Sequence, residues 1–567
     1  MNLSRLNHLG EALRDATFAY QSRVALIEAN RDRENERWTY RQIREEGDRL
    51  GGLLQHVGVQ PDDMVAILMS NQGRWCVSGL GALWAGARLM PVDYKLTPKE
   101  QWALMAHGMP KVLITEFGIW QRLKESRPAS LKGLTVLVTD TPKGTQLEDA
   151  LPWDADKGRV QLEERTRDDI AAVVYSSGTG GTPKGCMLTH QNYLAQAEVL
   201  ATLFPMVEGD RYFSILPTNH AIDFMCGFII PLLSGATVVH QRTLRPQYLA
   251  STMKRYRSTH MALVPMILKA LEGRVREKMD ALPPLARQAV DGLLQAHHKV
   301  TREKPRYGLS RRLLKPFHDA FGGHLRLLFC GGAFVEQKSA DFFYQLGIPV
   351  VIGYGLTEAG TVVTVNDLKP YRGDTVGKTV PGTRVEIRNA DATGVGEVWV
   401  SGPTVMKGYL HEPEKTAEVL EGDWLATGDL GKLDPTGHLQ LTGRLRNMIV
   451  TEGGKNIYPE DVESAFSDLD ASEESCVFAT NYIWPKEALT GETLTLVVRP
   501  GEGEEEDELL EAVDSRNKKL AEHKRIRTVL MWNEAFPRTA SMKVKRLDLA
   551  SQLQETDRDT LTLRSLP

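Results

Sequence analysis

Only five cysteines occur in 567 residues (Cys76, Cys186, Cys226, Cys330 and Cys476), and no two of them form a CxxC pair. That scarcity argues against a zinc ribbon and against a disulfide framework, and it suits a reducing cytoplasm. A long uninterrupted apolar run is missing too. The greasiest stretch, residues 224–239, is broken by Pro231, Ser234 and Gly235. It is short for a membrane span and reads as a buried helix, a turn and a strand. The first residues, MNLSRLNH, lack the apolar centre of a signal peptide. Nor is there an excess of positive charge: 69 Lys and Arg against 73 Asp and Glu leave a net charge of -4. Nucleic-acid binding usually wants a basic domain or stripe, so that class finds no support.

What is present is the composition of a globular protein, 42% apolar and 25% charged. The length accommodates about four folding units of ~150 residues. Short apolar runs alternate with helix-like stretches through the first 440 residues or so, among them MVAILM (64–69), VLIT (112–115), LTVLV (134–138), MALV (261–264), LRLLF (325–329) and VVI (350–352). Interleaving of that kind indicates α/β architecture with layered parallel sheets. From about residue 377 the texture changes to glycine-punctuated strands, TRVEI (383–387) and GEVWV (396–400), which suggests a small barrel-like subdomain. A polar stretch at 442–447 then precedes a final unit of ~120 residues, a plausible α+β domain by size. The expected division is therefore 1–445 and 446–567. Between 269 and 321 lies a basic, helix-rich segment with Lys269, Arg274, Arg276, Lys278, Arg302, Arg311, Arg312 and Lys315. It could face acidic lipid head groups or an acidic carrier, but a solvated helical excursion is the plainer reading. The acidic run 502–508 precedes LLEAV and suits the positive end of a helix.

The most informative segment is YSSGTGGTPKG at 175–185, which follows the strand-like run IAAVV (170–174). Its glycines let successive N–H groups curl around an anion, its hydroxyls add donors, and Lys184 adds a mobile cation. It is not a Walker loop, because Pro183 stands where the second glycine belongs and Gly185 where Ser or Thr belongs. Pro183 also displaces the third glycine of a dinucleotide fingerprint. Two further segments carry compatible chemistry. GYGLTE (353–358) sets an aromatic ring, a hydroxyl and a carboxylate within six residues; the ring can stack on a base and the carboxylate can hold Mg²⁺. WLATGD (424–429) offers Asp429 after a strand and a tight turn, suited to ribose hydroxyls. Each alone could be an ordinary turn.

Together with GRLRNMIVTEGGKNIYPEDVE (443–463) and PRTASMKVKR (537–546), these segments stand in the order and spacing of the adenylate-forming superfamily, which the chain resembles from about residue 20 to 550. That superfamily includes acyl-CoA synthetases, firefly luciferase and adenylation domains of peptide synthetases. GGKNIYP (453–459) and the long insertion before LRLLFCGGA (325–333) look most like long-chain fatty acyl-CoA synthetases.

The resemblance implies roles for particular residues. Ser176, Ser177, Gly178, Thr179, Gly180, Gly181, Thr182 and Lys184 would cradle the β- and γ-phosphates of ATP, with Thr179 near the metal. Gly331, Gly332 and Ala333 would line the adenine slot. Tyr354, followed by Gly355, would stack on the base, Thr357 would contact the α-phosphate, and Glu358 would bind Mg²⁺. Asp429 and Arg444 would hold the ribose. His220 matches a histidine beside the acyl pocket, with gating and purely structural roles both open. Arg446 stands at the hinge, and Gly453 and Gly454 would make room for the pantetheine arm of coenzyme A.

Lys543 occupies the position of the catalytic lysine. Attack of a carboxylate on the α-phosphorus brings two anions together, so positive charge is the need, and removing it should cost about 3–4 kcal/mol or more. A solvated lysine is the plainer reading of Lys543 alone. The chain departs from the family pattern at Met542, where glycine is usual, at Asn447, where an acid is usual, and at Arg446, where lysine is frequent.

The implied reaction joins a carboxylic acid to ATP, giving acyl-AMP and pyrophosphate, and then passes the acyl group to the thiol of coenzyme A. A medium- or long-chain fatty acid is expected. Residues 222–233, IDFMCGFIIPLL, would line a greasy pocket with Gly227 giving space, although core packing explains most of these side chains as well. An acyl carrier protein as acceptor is the nearest rival. A non-catalytic nucleotide or acyl-adenylate binder, motivated by Met542, is a rival of another class. At most peripheral membrane contact is expected.

Overall fold

The computed structural model describes residues 3–176, 183–450, 456–467, 469, 472–484, 493–501, 506–539, 544–557 and 561–566. The chain divides into two compact units. Met1–Ser176, Pro183–Arg384 and Val400–Leu425 belong to the first; Val385–Trp399 and Ala426–Pro567 belong to the second.

The first unit is α/β, as its apolar runs require. One nine-stranded sheet runs in the order Lys378–Thr379, Thr364–Val365, Val350–Tyr354, Leu327–Gly331, His260–Leu263, Arg211–Ser214, Thr237–Gln241, Val24–Asn30, Arg33–Thr39. Its six inner strands, Val350–Tyr354 through Val24–Asn30, are parallel, and the flanking strands are antiparallel. The second sheet has eight strands, in the order Gly408–Tyr409, Lys184–Thr189, Ile170–Ser176, Arg88–Pro91, Met64–Leu68, Val112–Glu116, Thr135–Thr139, Leu151–Pro152. From Ile170–Ser176 onward its strands are parallel. Inner strands such as Met64–Leu68 are buried along their whole length, which is why they read as unbroken apolar runs rather than alternating ones.

The 224–239 stretch divides as its proline and glycine dictate, into a π-turn Phe224–Ile229, a helix Ile230–Leu233 and the strand Thr237–Gln241. The basic segment is helical throughout: Pro265–Asp280, Pro284–Thr301, Tyr307–Leu313 and Lys315–Ala320 connect two neighbouring parallel strands. It is less detached than a purely solvated excursion. Leu268, Val275, Met279 and Leu294 join the apolar core beneath it, while its cationic side chains face water.

In the second unit the closing sheet runs Ser472–Ala479, Leu494–Pro500, Ile526–Met531, Thr562–Ser565. Period-two alternation divides its side chains between two cores. Val477, Leu496 and Val529 pack with Val462, Phe466, Leu509 and Val513 on one face. Cys476, Phe478, Val497 and Leu530 pack with Trp532, Leu549 and Leu553 on the other. Glu506, Asp507 and Glu508 occupy the first turn of helix Glu506–Asn517, where the helix dipole favours acids. All five cysteines are buried and free. Among the described residues no helix is long and apolar enough to cross a membrane.

Candidate active site

Three of the singled-out segments emerge side by side. Strands Arg211–Ser214, His260–Leu263, Leu327–Gly331 and Val350–Tyr354 are parallel neighbours, so the loops that leave them open along one carboxyl edge of the sheet. Ligands bind at that edge in open α/β sheets. It carries His220, the Gly331-Gly332-Ala333 turn, and Tyr354 through Glu358.

Small residues here are matters of space. Gly332 has φ +83°, a left-handed backbone that suits glycine, and a methyl on it would lie 3.7 Å from Ile222 Cδ1. Gly355 has no alternative: a methyl would sit 1.8 Å from the carbonyl oxygen of Thr361. That crowding folds residues 355–361 back on themselves, with Val363 N–H donating to Tyr354 O at 2.8 Å. Tyr354 is 8% exposed. Thr357 and Glu358 follow in a 3₁₀ turn, Thr357–Ala359.

The phosphate loop joins two antiparallel strands, Ile170–Ser176 and Lys184–Thr189, with Ser176 and Lys184 as register partners. Both ends of the loop are therefore fixed. Ser177, Gly178, Thr179, Gly180, Gly181 and Thr182 themselves lie outside the described residues. Thr189 then caps helix His190–Leu203 through a reciprocal box with Asn192.

Tyr409 was not legible as a site residue, yet it ties two of the expected ones together. Its strand, Gly408–Tyr409, pairs with Lys184–Thr189. Its hydroxyl donates to Glu358 Oε1 at 3.1 Å, and Lys184 Nζ sits 4.7 Å from the ring centroid. Burial first, and then the Glu358 charge, push the phenol well above its usual range, so it stays a donor. One ring thus holds a carboxylate and an ammonium at the root of the phosphate loop. Its signal in the sequence was only a Gly-Tyr pair distant from the other motifs.

His220 precedes the short turn Ala221–Asp223, and its Nε2 lies 3.5 Å from Asp93 Oδ2. Burial raises the Asp93 carboxyl, but the His220 ring and the Lys95 N–H outweigh it and leave the group below the usual range. Beneath this loop lies a second carboxyl that the motifs did not announce. Asp223 is fully buried and accepts hydrogen bonds from Tyr212 Oη (2.8 Å), Ser214 Oγ (2.9 Å) and Thr218 Oγ1 (3.0 Å). Burial pushes it up to about 6 against the pull of those donors. Asn71 completes the network, donating to Ser214 Oγ and Leu216 O and accepting from Thr218 N–H.

The greasy stretch is corrected in part. Gly227 leaves no space for an acyl chain, because a methyl there would meet Asp223 Oδ2 at 2.5 Å. Phe224 and Phe228 pack edge-on against Trp75 in the core. Ile222, half-buried beside Gly332, remains at the carboxyl edge.

The second unit holds the other expected residues. Asp429 lies within strand Trp424–Leu433, rather than after a strand, because Gly428 turns at φ +68° without ending the pairing. Arg444 is its register partner, with Nε 2.7 Å from Asp429 Oδ1. Arg446 is exposed in the turn Leu445–Asn447, and Asn447 Nδ2 donates to Glu460 Oε1 at 2.6 Å. Gly453, Gly454, Met542 and Lys543 lie outside the described residues. The chain on either side of residues 540–543 is pinned. Arg538 pairs with Val544 in an isolated bridge, Lys545 N–H donates to Pro537 O at 2.7 Å, and Arg538 Nη2 lies 2.5 Å from Glu474 Oε1. Arg546 Nη2 then reaches both oxygens of Glu463, at 2.5 and 2.6 Å.

A parallel-sheet edge bearing small turns, a buried tyrosine and a carboxylate, beside a Ser/Gly/Lys hairpin, agrees with a comparison of whole sequences. The family of AMP-binding enzymes matches residues 13–410. The chain belongs to that family. A 3-[(3aS,4S,7aS)-7a-methyl-1,5-dioxo-octahydro-1H-inden-4-yl]propanoyl:CoA ligase from Rhodococcus jostii is 29% identical over 539 residues, covering 90% of this chain and 93% of the relative. A long-chain-fatty-acid–[acyl-carrier-protein] ligase from Arabidopsis thaliana is 27% identical, over 80% of this chain and 72% of its own. Among solved structures, the anthranilate CoA ligase AuaEII in complex with anthranoyl-AMP matches with a TM-score of 0.79 at 23% identity, covering 98% of this chain and 99% of that one. The AMP-binding enzyme fold thus extends over both units.

Proposed function

We propose that this AMP-binding enzyme is an acid–CoA ligase that activates an apolar carboxylic acid in two steps. In the first, a carboxylate oxygen attacks the α-phosphorus of ATP, the bond to the β-phosphate breaks, and acyl-AMP and pyrophosphate form. In the second, the thiol of coenzyme A attacks the acyl carbonyl, loses its proton, and expels AMP. The observation that carries this reading is the Lys184–Tyr409–Glu358 constellation at the root of the phosphate hairpin. It sets a cation where phosphate negative charge would lie and a carboxylate within reach of a phosphate-bound cation.

Magnesium fits the donor set. Glu358 offers a hard oxygen, and among the described residues no group of three His, Cys, Asp or Glu side chains could cage a metal by itself. A Mg²⁺ ion normally takes one or two carboxylates and completes its shell with phosphates and water. When bound it would screen the phosphates. This chain's own residues do the rest in our reading. Tyr354 stacks on the base beside Gly331, Gly332, Ala333 and Gly355, while Thr357 holds the α-phosphate. The Asp429 carboxylate accepts from the ribose, with Arg444 orienting it. Lys543 supplies positive charge to the first step. Residues 446–567 act as a lid that turns about Arg446 and exchanges Lys543 for the Gly453–Gly454 segment before thiol attack.

The acid is apolar, of fatty or alicyclic type, since Ile222 is the side chain offered at the edge beside Gly332. A carrier-protein thiol in place of coenzyme A is the second reading, favoured by the similarity to the carrier-protein ligase. Five buried free thiols suit a reducing setting, and we read that setting as cytoplasmic. The test is pyrophosphate release with ATP, Mg²⁺ and a carboxylate panel, followed by thioester assays with coenzyme A alone and with a purified carrier. Pyrophosphate release with thioester on coenzyme A is expected. Thioester on the carrier alone would overturn the choice of acceptor, and silence across the panel would overturn the enzyme assignment.

A further inference from the structure

The helical segment between strands His260–Leu263 and Leu327–Gly331 contains none of the residues assigned to the reaction, yet it carries a dense run of exposed positive charge. Residues 299–313 contain six cations, Lys299, Arg302, Lys304, Arg306, Arg311 and Arg312, with Glu303 as the sole acid. A net +5 in fifteen residues contrasts with -4 for the whole chain. All six side chains are exposed, and none makes an ion pair among the described residues. Elsewhere on the same segment several cations are paired, as in Lys269–Glu336, Arg276–Glu272, Arg287–Asp280 and Lys315–Asp319.

Helix ends explain part of this, not all. Lys299 sits in the last turn of Pro284–Thr301, and Arg311 and Arg312 in the last turn of Tyr307–Leu313, where cations meet the negative helix end. Arg302 caps the carboxyl end of Pro284–Thr301, whereas Lys304 and Arg306 lie beyond any helix end that would favour them. The surface is also held rigidly. His297 Nε2 lies 2.8 Å from Ser310 Oγ, His297 Nδ1 lies 3.0 Å from Gln345 O, and Tyr344 Oη donates to Thr301 O at 2.6 Å. These bonds tie both helices to the core, so the charges cannot spread apart as they would on a loose loop. The positive field continues beyond the segment. His324 is held below its usual range first by burial and then by Arg311, Arg257 and Arg211 together. Two apolar side chains stand out in water between the cations, Val300 at 49% exposure and Leu313 at 44%.

We propose that this face docks on the anionic headgroup surface of a lipid bilayer, with Val300 and Leu313 entering the interface. Clusters of four to eight Lys and Arg bind acidic lipid surfaces, and singly exposed apolar side chains among them add insertion. An acidic protein would equally answer the charge. The exposure of two apolar side chains, Val300 and Leu313, among the cations favours the bilayer. The proposal stands whether or not the acid–CoA ligase reading does.

Flotation of the full chain with vesicles decides it. Vesicles of phosphatidylcholine alone should leave the protein behind, and vesicles containing phosphatidylglycerol should carry it at low salt and release it as ionic strength rises. Each cation removed should weaken partition about fivefold. The triple variant Arg302→Gln, Arg311→Gln, Arg312→Gln should therefore lose about a hundredfold, and Leu313→Ser should lose binding without altering its salt dependence. Circular dichroism and pyrophosphate release in vesicle-free buffer should match the parent for both, since these side chains are exposed and remote from the site. Failure of the parent to float with anionic vesicles would overturn the proposal, as would flotation unchanged in the triple variant. Retention on an acidic carrier protein in place of vesicles would also overturn it.

Discussion

At the scale of single residues the site is organised around groups whose surroundings, not their types, set their behaviour. Asp223 is the clearest. Its carboxyl is raised to about 6 against an ordinary 3.8, so the folded chain keeps a proton that the unfolded chain releases between those values. Stability from this group is complete below pH ~4 and is lost as pH rises through 6, about 3 kcal/mol in all at 1.36 kcal/mol per unit. Asp223→Asn should flatten the fall in melting temperature across pH 4–6; an unchanged slope would mean that another group carries it. Tyr409→Phe should keep the fold and slow acyl-AMP formation about tenfold, the worth of one hydrogen bond to a charged group. Glu358→Gln should slow it a hundredfold or more and weaken its dependence on Mg²⁺, read from pyrophosphate release against metal concentration. None of these environments could be read from the sequence. GYGLTE announced Glu358, but the partner that holds it comes from a strand fifty-one residues later.

At the scale of elements the sequence was far more legible. Buried parallel strands such as Val112–Glu116 and Val350–Tyr354 stood out because burial on both faces leaves apolar runs in the chain. The stretch 222–233 shows the limit of that logic. Its apolar residues were equally consistent with a pocket wall and with core, and Asp223 with its three hydroxyl donors decides for core by filling the space at Gly227. The anchoring of Arg538 and Arg546 was likewise invisible, since their partners Glu474 and Glu463 come from distant elements. Arg546 and Glu463 are each about one-fifth exposed and doubly bonded. Arg546→Met strands the Glu463 carboxylate and should destabilise the second unit by about 3–5 kcal/mol. Hydrogen exchange in strand Ser472–Ala479 should accelerate accordingly, while exchange in Met64–Leu68 of the first unit should not change.

At the scale of the whole molecule, the proposed reaction asks the tail of the chain for two different services. If Lys543 serves only the first step, Lys543→Ala should lower acyl-AMP synthesis by a hundredfold or more and leave thioester formation from supplied acyl-AMP within a fewfold of the parent. Equal losses in both half-reactions would exclude the division of labour. A proline at Arg446 should do the reverse, sparing the first step and slowing the second, because a fixed backbone angle resists the turn.

The burial of every cysteine has a further use. Cys76, Cys186, Cys226 and Cys330 belong to the first unit and Cys476 alone to the second. Alkylating reagent added during gentle heating therefore reports which unit opens first: one adduct if the second unit loosens alone, four if the first does. Mass spectrometry of the intact chain would read that order of melting directly, with no engineered probe.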